Sequence, residues 1–118
     1  MVENIIEGDQ YSITYDREAH VITFRGTMRL RSANDYAPVN VLLRSAHAAA
    51  GERRLTLDFR QLQFLNSSGI NALCKFVISA RDSGNVGVTV LGKADIYWQQ
   101  RSLVNLTKFW PDVHVTFE

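Results

Sequence analysis

Residues 55–70 read LTLDFRQLQFLNSSGI, and this stretch decides the fold of the chain. Residues 55–59 alternate apolar and polar side chains, which predicts a buried, central strand. A short connection follows, and a helix then begins near Ser68 with apolar residues at helical spacing. Ser67 and Ser68 lie at the positive end of that helix, where backbone amides lack partners within the helix. A phosphate on either hydroxyl would be well placed there.

Strand and helix patterns precede and follow this stretch. Period-two alternation predicts strands at residues 11–15 and 113–117, and further strands are predicted at residues 21–25 and, from its β-branched residues, at 86–91. Helical spacing predicts a helix from about Tyr36, capped by Asn34 or Asp35, and a last helix capped by Asp95. The order β-β-α-β-α-β-α-β favours an α/β fold with right-handed crossovers. We expect about five mostly parallel strands, one antiparallel edge hairpin, and three to four helices packed on the sheet.

The composition is typical of a small globular protein. The chain has 118 residues, 46% hydrophobic and 21% charged, so we expect a single domain over residues 1–118. A net charge of +1 gives no sign of nucleic-acid or membrane binding. The N-terminus lacks a secretory signal pattern, and no apolar run has the roughly 20 residues that a membrane helix needs. We expect a cytoplasmic protein, and its single cysteine, Cys74, excludes an internal disulfide.

The stretch at residues 55–70 resembles the signature of the STAS domain, the fold of bacterial anti-sigma factor antagonists. In that family, an apolar strand with an Asp and an apolar spacer precede Asp-Ser-Ser-Gly or Asp-Ser-Thr-Gly and an apolar helix. The resemblance covers the chain from about Tyr11 to Phe117, although only residues 55–70 carry the specific motif. The family's regulatory phosphate goes on the serine after the acidic residue. That position is Ser67 here, with Ser68 as the alternative.

The resemblance implies a non-enzymatic switch in bacterial partner-switching regulation of transcription. The unmodified protein would bind an anti-sigma factor or a related serine kinase, phosphorylation would release that partner, and a serine phosphatase would reset the switch. The implied binding surface is the start of the second helix and the loop after the second strand, namely Asn66, Ser67, Ser68, Gly69, Ile70, Arg29 and Arg31. Gly69 would leave room for a bulky partner or a kinase's nucleotide. We expect no cofactor and a monomer or weak dimer.

Two positions depart from the family pattern. Asn66 replaces the usual Asp, and Arg29 stands where the family commonly has an acid after the second strand. Both changes remove negative charge near the serine, so Arg29 can pair with a phosphate there. A kinase that uses those acids to orient Mg²⁺ or the serine hydroxyl would phosphorylate this site poorly. A second function therefore stays open, namely a scaffold or small-ligand module that uses the same turn without phosphate.

The residues that could carry catalysis are scattered. The chain has no Gly-x-Ser-x-Gly elbow, no phosphate-binding loop and no dinucleotide fingerprint. His20, His47 and His114 lack metal-ligand spacing, so we expect no metal site. A small hydrolase with Ser67 or Ser68 as nucleophile is a third possibility, but no base lies nearby in the sequence. The sequence therefore predicts a protein that is not an enzyme.

Overall fold

The computed structural model describes residues 2–84 and 87–118, with the backbone alone for residues 2–4. Within these residues the chain forms six strands: β1 (Val2–Glu7), β2 (Tyr11–Asp16), β3 (Val21–Met28), β4 (Leu55–Leu65), β5 (Val88–Gly92) and β6 (His114–Phe117). The helices are α1 (Ala37–Ala50), α2 (Ser67–Asp82), α3 (Tyr97–Ser102) and α4 (Leu106–Phe109), with one 3₁₀ turn (Leu103–Asn105) between α3 and α4. Residue 86, predicted as the first residue of the fourth strand, lies outside the described residues.

The strands form one sheet in the order in which they occur along the chain. β1, β2 and β3 pair antiparallel, whereas β3, β4, β5 and β6 pair parallel. The predicted α/β fold is confirmed, with β6 at one edge of the sheet. The antiparallel part has three strands rather than two, because β1 adds to the predicted hairpin. Its sequence lacks clear alternation, so pairing with β2 makes it a strand.

The helices cover one face of the sheet. Right-handed crossovers between consecutive neighbouring strands place every connecting helix on the same side. α1 contacts α2, and α2 contacts α4, as this arrangement requires. The core lies between the helices and the sheet, where the rings of Phe24 and Phe59 stack with their centroids 4.5 Å apart. On the opposite face, the Arg25 guanidinium donates to Thr14 and Gln61.

Two predicted helix caps are wrong. The N-cap of α1 is Tyr36, without a side-chain capping bond, and the N-cap of α3 is Ile96, also without one. Before α1, a backbone turn supplies acceptors, since the carbonyl of Asn34 accepts from the amide of Ala37. A helix entered from a tight turn needs no capping side chain for that amide, so Asn34 and Asp35 do not cap α1. Asp95 likewise does not cap α3.

Candidate functional site

The second half of β4 contains two β-bulges, which determine the face of the sheet to which its side chains point. β4 continues to Leu65, six residues past the predicted end, and pairs with β3 throughout. At two points β4 contains one more residue than β3, between Asp58 and Gln61 and between Leu62 and Phe64. Such bulges reverse the face to which the following side chains point. As a result Leu62 and Leu65 are buried, whereas Phe64 is 37% exposed.

Asn66 forms the junction between β4 and α2, and all of its polar atoms are hydrogen-bonded. Its backbone amide donates to the carbonyl of Met28 at 3.2 Å, and its carbonyl accepts from the amide of Ile70 at 3.0 Å. Its side-chain Oδ1 caps α2 by accepting from the amide of Gly69 at 3.0 Å. The Nδ2 group donates to the carbonyl of Leu30 at 2.7 Å. Asn66 therefore ties α2 to the segment that follows β3.

The buried Tyr36 completes this network. Its hydroxyl donates to Asn66 Oδ1 at 2.6 Å, and only 1% of the residue is exposed. Burial raises the pKa of the Tyr36 phenol, so the hydroxyl keeps the proton that it donates. Because Oδ1 faces two donors and Nδ2 faces a carbonyl, the orientation of the Asn66 amide is fixed by its partners. An aspartate cannot donate to Leu30, which gives a structural reason for asparagine at this position.

Gly69 has an internal role rather than the predicted surface role. The residue is buried, and a Cβ built on it would lie 2.2 Å from Leu65 Cδ1 and 2.8 Å from the Tyr36 hydroxyl oxygen. Side chains of the protein itself fill the space beside its Cα. The expectation that Gly69 leaves room for a partner is therefore corrected, because glycine here allows Tyr36 to reach Asn66.

The two serines differ in their surroundings. Ser67 is the first residue of α2 and is exposed. Ser68 is half-buried and lines a cavity of about 100 Å³ together with Asn40, Asn71 and Lys75. Within the described residues neither hydroxyl is hydrogen-bonded, since Asn66 performs the capping. We call Asn66, Ser67, Ser68 and Gly69 the serine turn. Of its two hydroxyls, that of Ser67 is the more accessible.

The loop that carries the two predicted arginines is bonded to this turn through Leu30. Leu30, whose carbonyl accepts from Asn66, is flanked by Arg29 and Arg31, and we call these three residues the arginine segment. Both arginines are exposed, and among the described residues neither has an acidic side chain within ion-pair distance. The guanidinium of Arg29 lies over the ring of Phe64, 4.9 Å from its centroid. Arg29 also borders a surface depression of about 440 Å³ at the turn between β1 and β2.

The apolar side chains near the serine turn divide into core residues and residues at the surface. Leu65 and Leu73 are buried, with 4% exposed in each case, so they belong to the core. Ile70 is half-buried, and Phe64 supplies the exposed ring. Tyr36 and Phe64 were not predicted as site residues. A signal for Phe64 existed, since period-two alternation from the buried Leu57 and Phe59 places residue 64 on the opposite face of the strand.

Asp58, the acidic residue of the strand motif, lies away from the serine turn. It is 5% exposed, and its two carboxylate oxygens accept from Arg60 Nε at 2.9 Å and Arg60 Nη2 at 2.8 Å. Burial alone would raise the pKa of the Asp58 carboxyl, but the hydrogen bonds and charge of Arg60 hold it below its usual value. The pair stands at the first bulge of β4, where it has a structural role.

The described residues offer little for covalent or metal chemistry. Cys74 is half-buried, and burial raises the pKa of its thiol, which disfavours the reactive thiolate. No cluster of three metal-ligating side chains occurs among the described residues. In the same part of the chain, no helix is both long and apolar enough to cross a bilayer. The arrangement is suited to binding at a rigid helix start with an exposed hydroxyl.

Comparison with known proteins gives structural matches. No protein-family model and no curated protein matches the sequence. One match is a chain of the crystal structure of the diguanylate cyclase SiaD in complex with its activator SiaC from Pseudomonas aeruginosa. The TM-score is 0.67 at 21% identity, with 98% of this chain and 100% of the matched chain covered.

Two further structures of SiaC from the same organism also match. Apo-SiaC gives a TM-score of 0.63 at 23% identity, with 98% of this chain and 99% of that chain covered. A second SiaC structure gives a TM-score of 0.64 at 24% identity, with 99% and 96% covered. The likeness extends over nearly the whole of both chains and confirms the STAS-like α/β fold that the motif predicts.

Proposed function

We propose that this protein is a non-enzymatic regulator that binds a partner protein through the serine turn and the arginine segment, and that phosphorylation of Ser67 releases the partner. The observation that carries the proposal is the exposed Ser67 hydroxyl at the first position of α2, next to the fully hydrogen-bonded Asn66. The hydrogen bonds of Asn66 hold the start of α2 in one conformation. A change of charge on Ser67 therefore acts on the partner rather than on the fold.

The physical basis of the switch is a local change of charge. A phosphate adds roughly −1.5 to −2 charges and three acceptor oxygens at neutral pH. The backbone amides of Ser67 and Ser68 have no partner among the described residues, because they lie in the first turn of α2, where no helix carbonyl can accept from them. A phosphate would gain these donors and the positive end of α2, so the modified state stays folded. The same charge beside the Phe64 and Ile70 rim would expel an apolar or acidic partner surface.

The partner belongs to one of two classes. The STAS resemblance of residues 55–70 supports an anti-sigma factor or related serine kinase, with a serine phosphatase that removes the phosphate. The similar protein SiaC is an activator of the diguanylate cyclase SiaD, which supports an enzyme as the bound partner. In both cases the regulator contributes a surface and one hydroxyl, while chemistry takes place on other proteins.

Phosphate mapping tests the proposal first. The chain is purified from its own cells under several growth conditions, and its peptides covering residues 63–75 are analysed by mass spectrometry. We expect a phosphate on Ser67, whereas a phosphate on Ser68 alone would correct the site. In parallel, binding of captured partners is compared between wild type and Ser67→Asp, with Ser45→Asp as the matched control because Ser45 is exposed in the middle of α1. Loss of binding in Ser67→Asp alone supports the switch.

A phosphate-independent scaffold is the second candidate, and one observation favours it. Asn66 and Arg29, which replace acids of the family pattern, have structural contacts of their own with Leu30 and Phe64. These contacts stabilise the serine turn and the arginine segment in the absence of phosphorylation. The scaffold becomes the better description if no growth condition yields phosphate and Ser67→Asp binds partners as the wild type does.

A further inference from the structure

Within the described residues, the second half of β4 lacks a strand neighbour on the side of β5. The parallel pairing between β4 and β5 runs from Leu55 with Val88 to Asp58 with Leu91 and ends there. β4 continues to Leu65, and its other side stays paired with β3. Backbone carbonyls on the unpaired side would lose their partners in the interior, which is costly for a buried strand.

The side chain of Gln99 in α3 takes the place of the missing strand. Its Nε2 donates to the carbonyl of Phe59 at 2.5 Å and to the carbonyl of Leu62 at 3.0 Å. Its Oε1 accepts from the amide of Lys93, just after β5, at 2.7 Å. Trp98 Nε1 adds a longer bond to the Leu62 carbonyl at 3.3 Å. Gln99 is 0% exposed. Because both Nε2 and Oε1 of its buried amide are hydrogen-bonded, the side chain connects α3 to β4 and to the end of β5.

This contact depends on the bulged shape of β4. In a regular strand, carbonyls alternate between the two edges, so those of Phe59 and Leu62, three residues apart, would point to opposite sides. The extra residue between Asp58 and Gln61 brings both carbonyls to the same edge, where one Nε2 group binds them. Gln99 therefore fits the bulged strand and not a regular one.

We infer that Gln99 is the positioning residue of the serine turn. By binding both carbonyls it holds the first bulge, and the extra residues of β4 set the register in which Leu65 lies opposite Met28 and Asn66 reaches its partners Met28 and Leu30. α3 and the serine turn thus behave as one unit, although Gln99 contacts none of the turn residues through the bonds described. The inference rests on the proposed function only in taking the serine turn as the site that is positioned.

Amide hydrogen exchange of the purified protein, followed by NMR, tests this inference without a partner or a phosphate. The reporters are the amides of Gly69 and Ile70, which are bonded to Asn66. In Gln99→Met, a substitution of similar size, we expect both amides to exchange about tenfold faster than the fall in global stability explains, because two hydrogen bonds to β4 are lost. The control is Val90→Ala in β5, a buried position that pairs with the regular half of β4.

In the control, protection should fall in step with global stability, measured by urea unfolding, and without a local excess at the turn. If Gln99→Met does not fold, Gln99→Asn replaces it, since the shorter amide stays polar but cannot span both carbonyls. Unchanged exchange at Gly69 and Ile70, or equal local effects in Gln99→Met and Val90→Ala, would overturn the inference and leave the phosphate experiments on Ser67 unaffected. Absence of phosphate on Ser67 would remove the proposed switch and leave the exchange result intact.

Discussion

Replacing Asn66 by aspartate should destabilise the protein, although aspartate is the residue that the STAS pattern usually has there. The carboxylate keeps the oxygen that accepts from Gly69 and Tyr36. Its second oxygen replaces Nδ2, which now donates to the Leu30 carbonyl at 2.7 Å. Two acceptor oxygens would then face each other across that distance, with no proton between them.

The expected size follows from three contributions. Loss of one hydrogen bond costs about 0.5–1.5 kcal/mol, and a carbonyl left without its donor raises the cost to about 1–3 kcal/mol. A negative charge at the N-terminus of α2 returns about 0.3–1 kcal/mol. We expect a net loss of about 1–2 kcal/mol in the free energy of unfolding, which lowers Tm by about 4–8 °C for a domain of this size.

The assay is urea unfolding at pH 7, with Ser67→Asp as the matched control. That variant places the same charge one residue further along, on an exposed side chain without a hydrogen bond in the described residues. It should be neutral or stabilised by a few tenths of a kcal/mol, because only the helix dipole acts on it. If Asn66→Asp is as stable as the wild type, or if both variants shift alike, the argument from the Leu30 carbonyl fails.

The remaining predictions concern the same network and its supporting strand. Gly69→Ala should lose about 1–3 kcal/mol of stability through overpacking, with Ser68→Ala close to neutral; equal stability of the two variants in urea would contradict the packing argument. Tyr36→Phe should lose about 1 kcal/mol, and a double-mutant cycle with Asn66→Ala should show coupling between the two side chains; strictly additive losses would exclude the bond. Arg60→Met should cost about 1–3 kcal/mol at pH 7, because the buried Asp58 carboxylate loses both guanidinium donors and keeps only the backbone amide of residue 60. Since the folded pKa of Asp58 lies below its usual value, the stability that the pair contributes is present above about pH 4 and is lost as pH falls through the folded pKa. The deficit of Arg60→Met should therefore shrink in thermal melts at pH 3, and a deficit that is constant with pH would refute the assignment.

Local patterns predicted the regular elements because these depend on short-range periodicity. α1 spans Ala37–Ala50 with proline tolerated in its first turn, and Gly51 ends it, as the spacing of apolar residues and the glycine indicate. β1 was missed because its residues form a strand through pairing with β2 rather than through a pattern of their own. The caps assigned to Asn34, Asp35 and Asp95 were wrong, because a backbone turn or an uncapped entry starts those helices.

The motif predicted where the site lies in the fold but not which contacts form it. The motif placed the serines at the start of α2 and the arginines on the loop after β3, and the structure joins these elements through Asn66 and Leu30. Gln99 could not be predicted as a site residue, because its role depends on a bulge in β4, and a bulge is set by pairing with a distant strand.

The sequence by itself determined the α/β class, the order of the elements after β1 and the position of two serines at a helix start. These features follow from side-chain periodicity and from the free amides of a helix end, both of which act over a few neighbouring residues. Only the tertiary structure decided that Asn66 bonds Leu30 and Tyr36, that Ser67 is exposed while Ser68 lines a cavity, and that Gly69 packs against Tyr36. Those outcomes depend on groups about thirty residues apart in the chain, which come together because the C-terminal ends of the parallel strands β3 and β4 are adjacent.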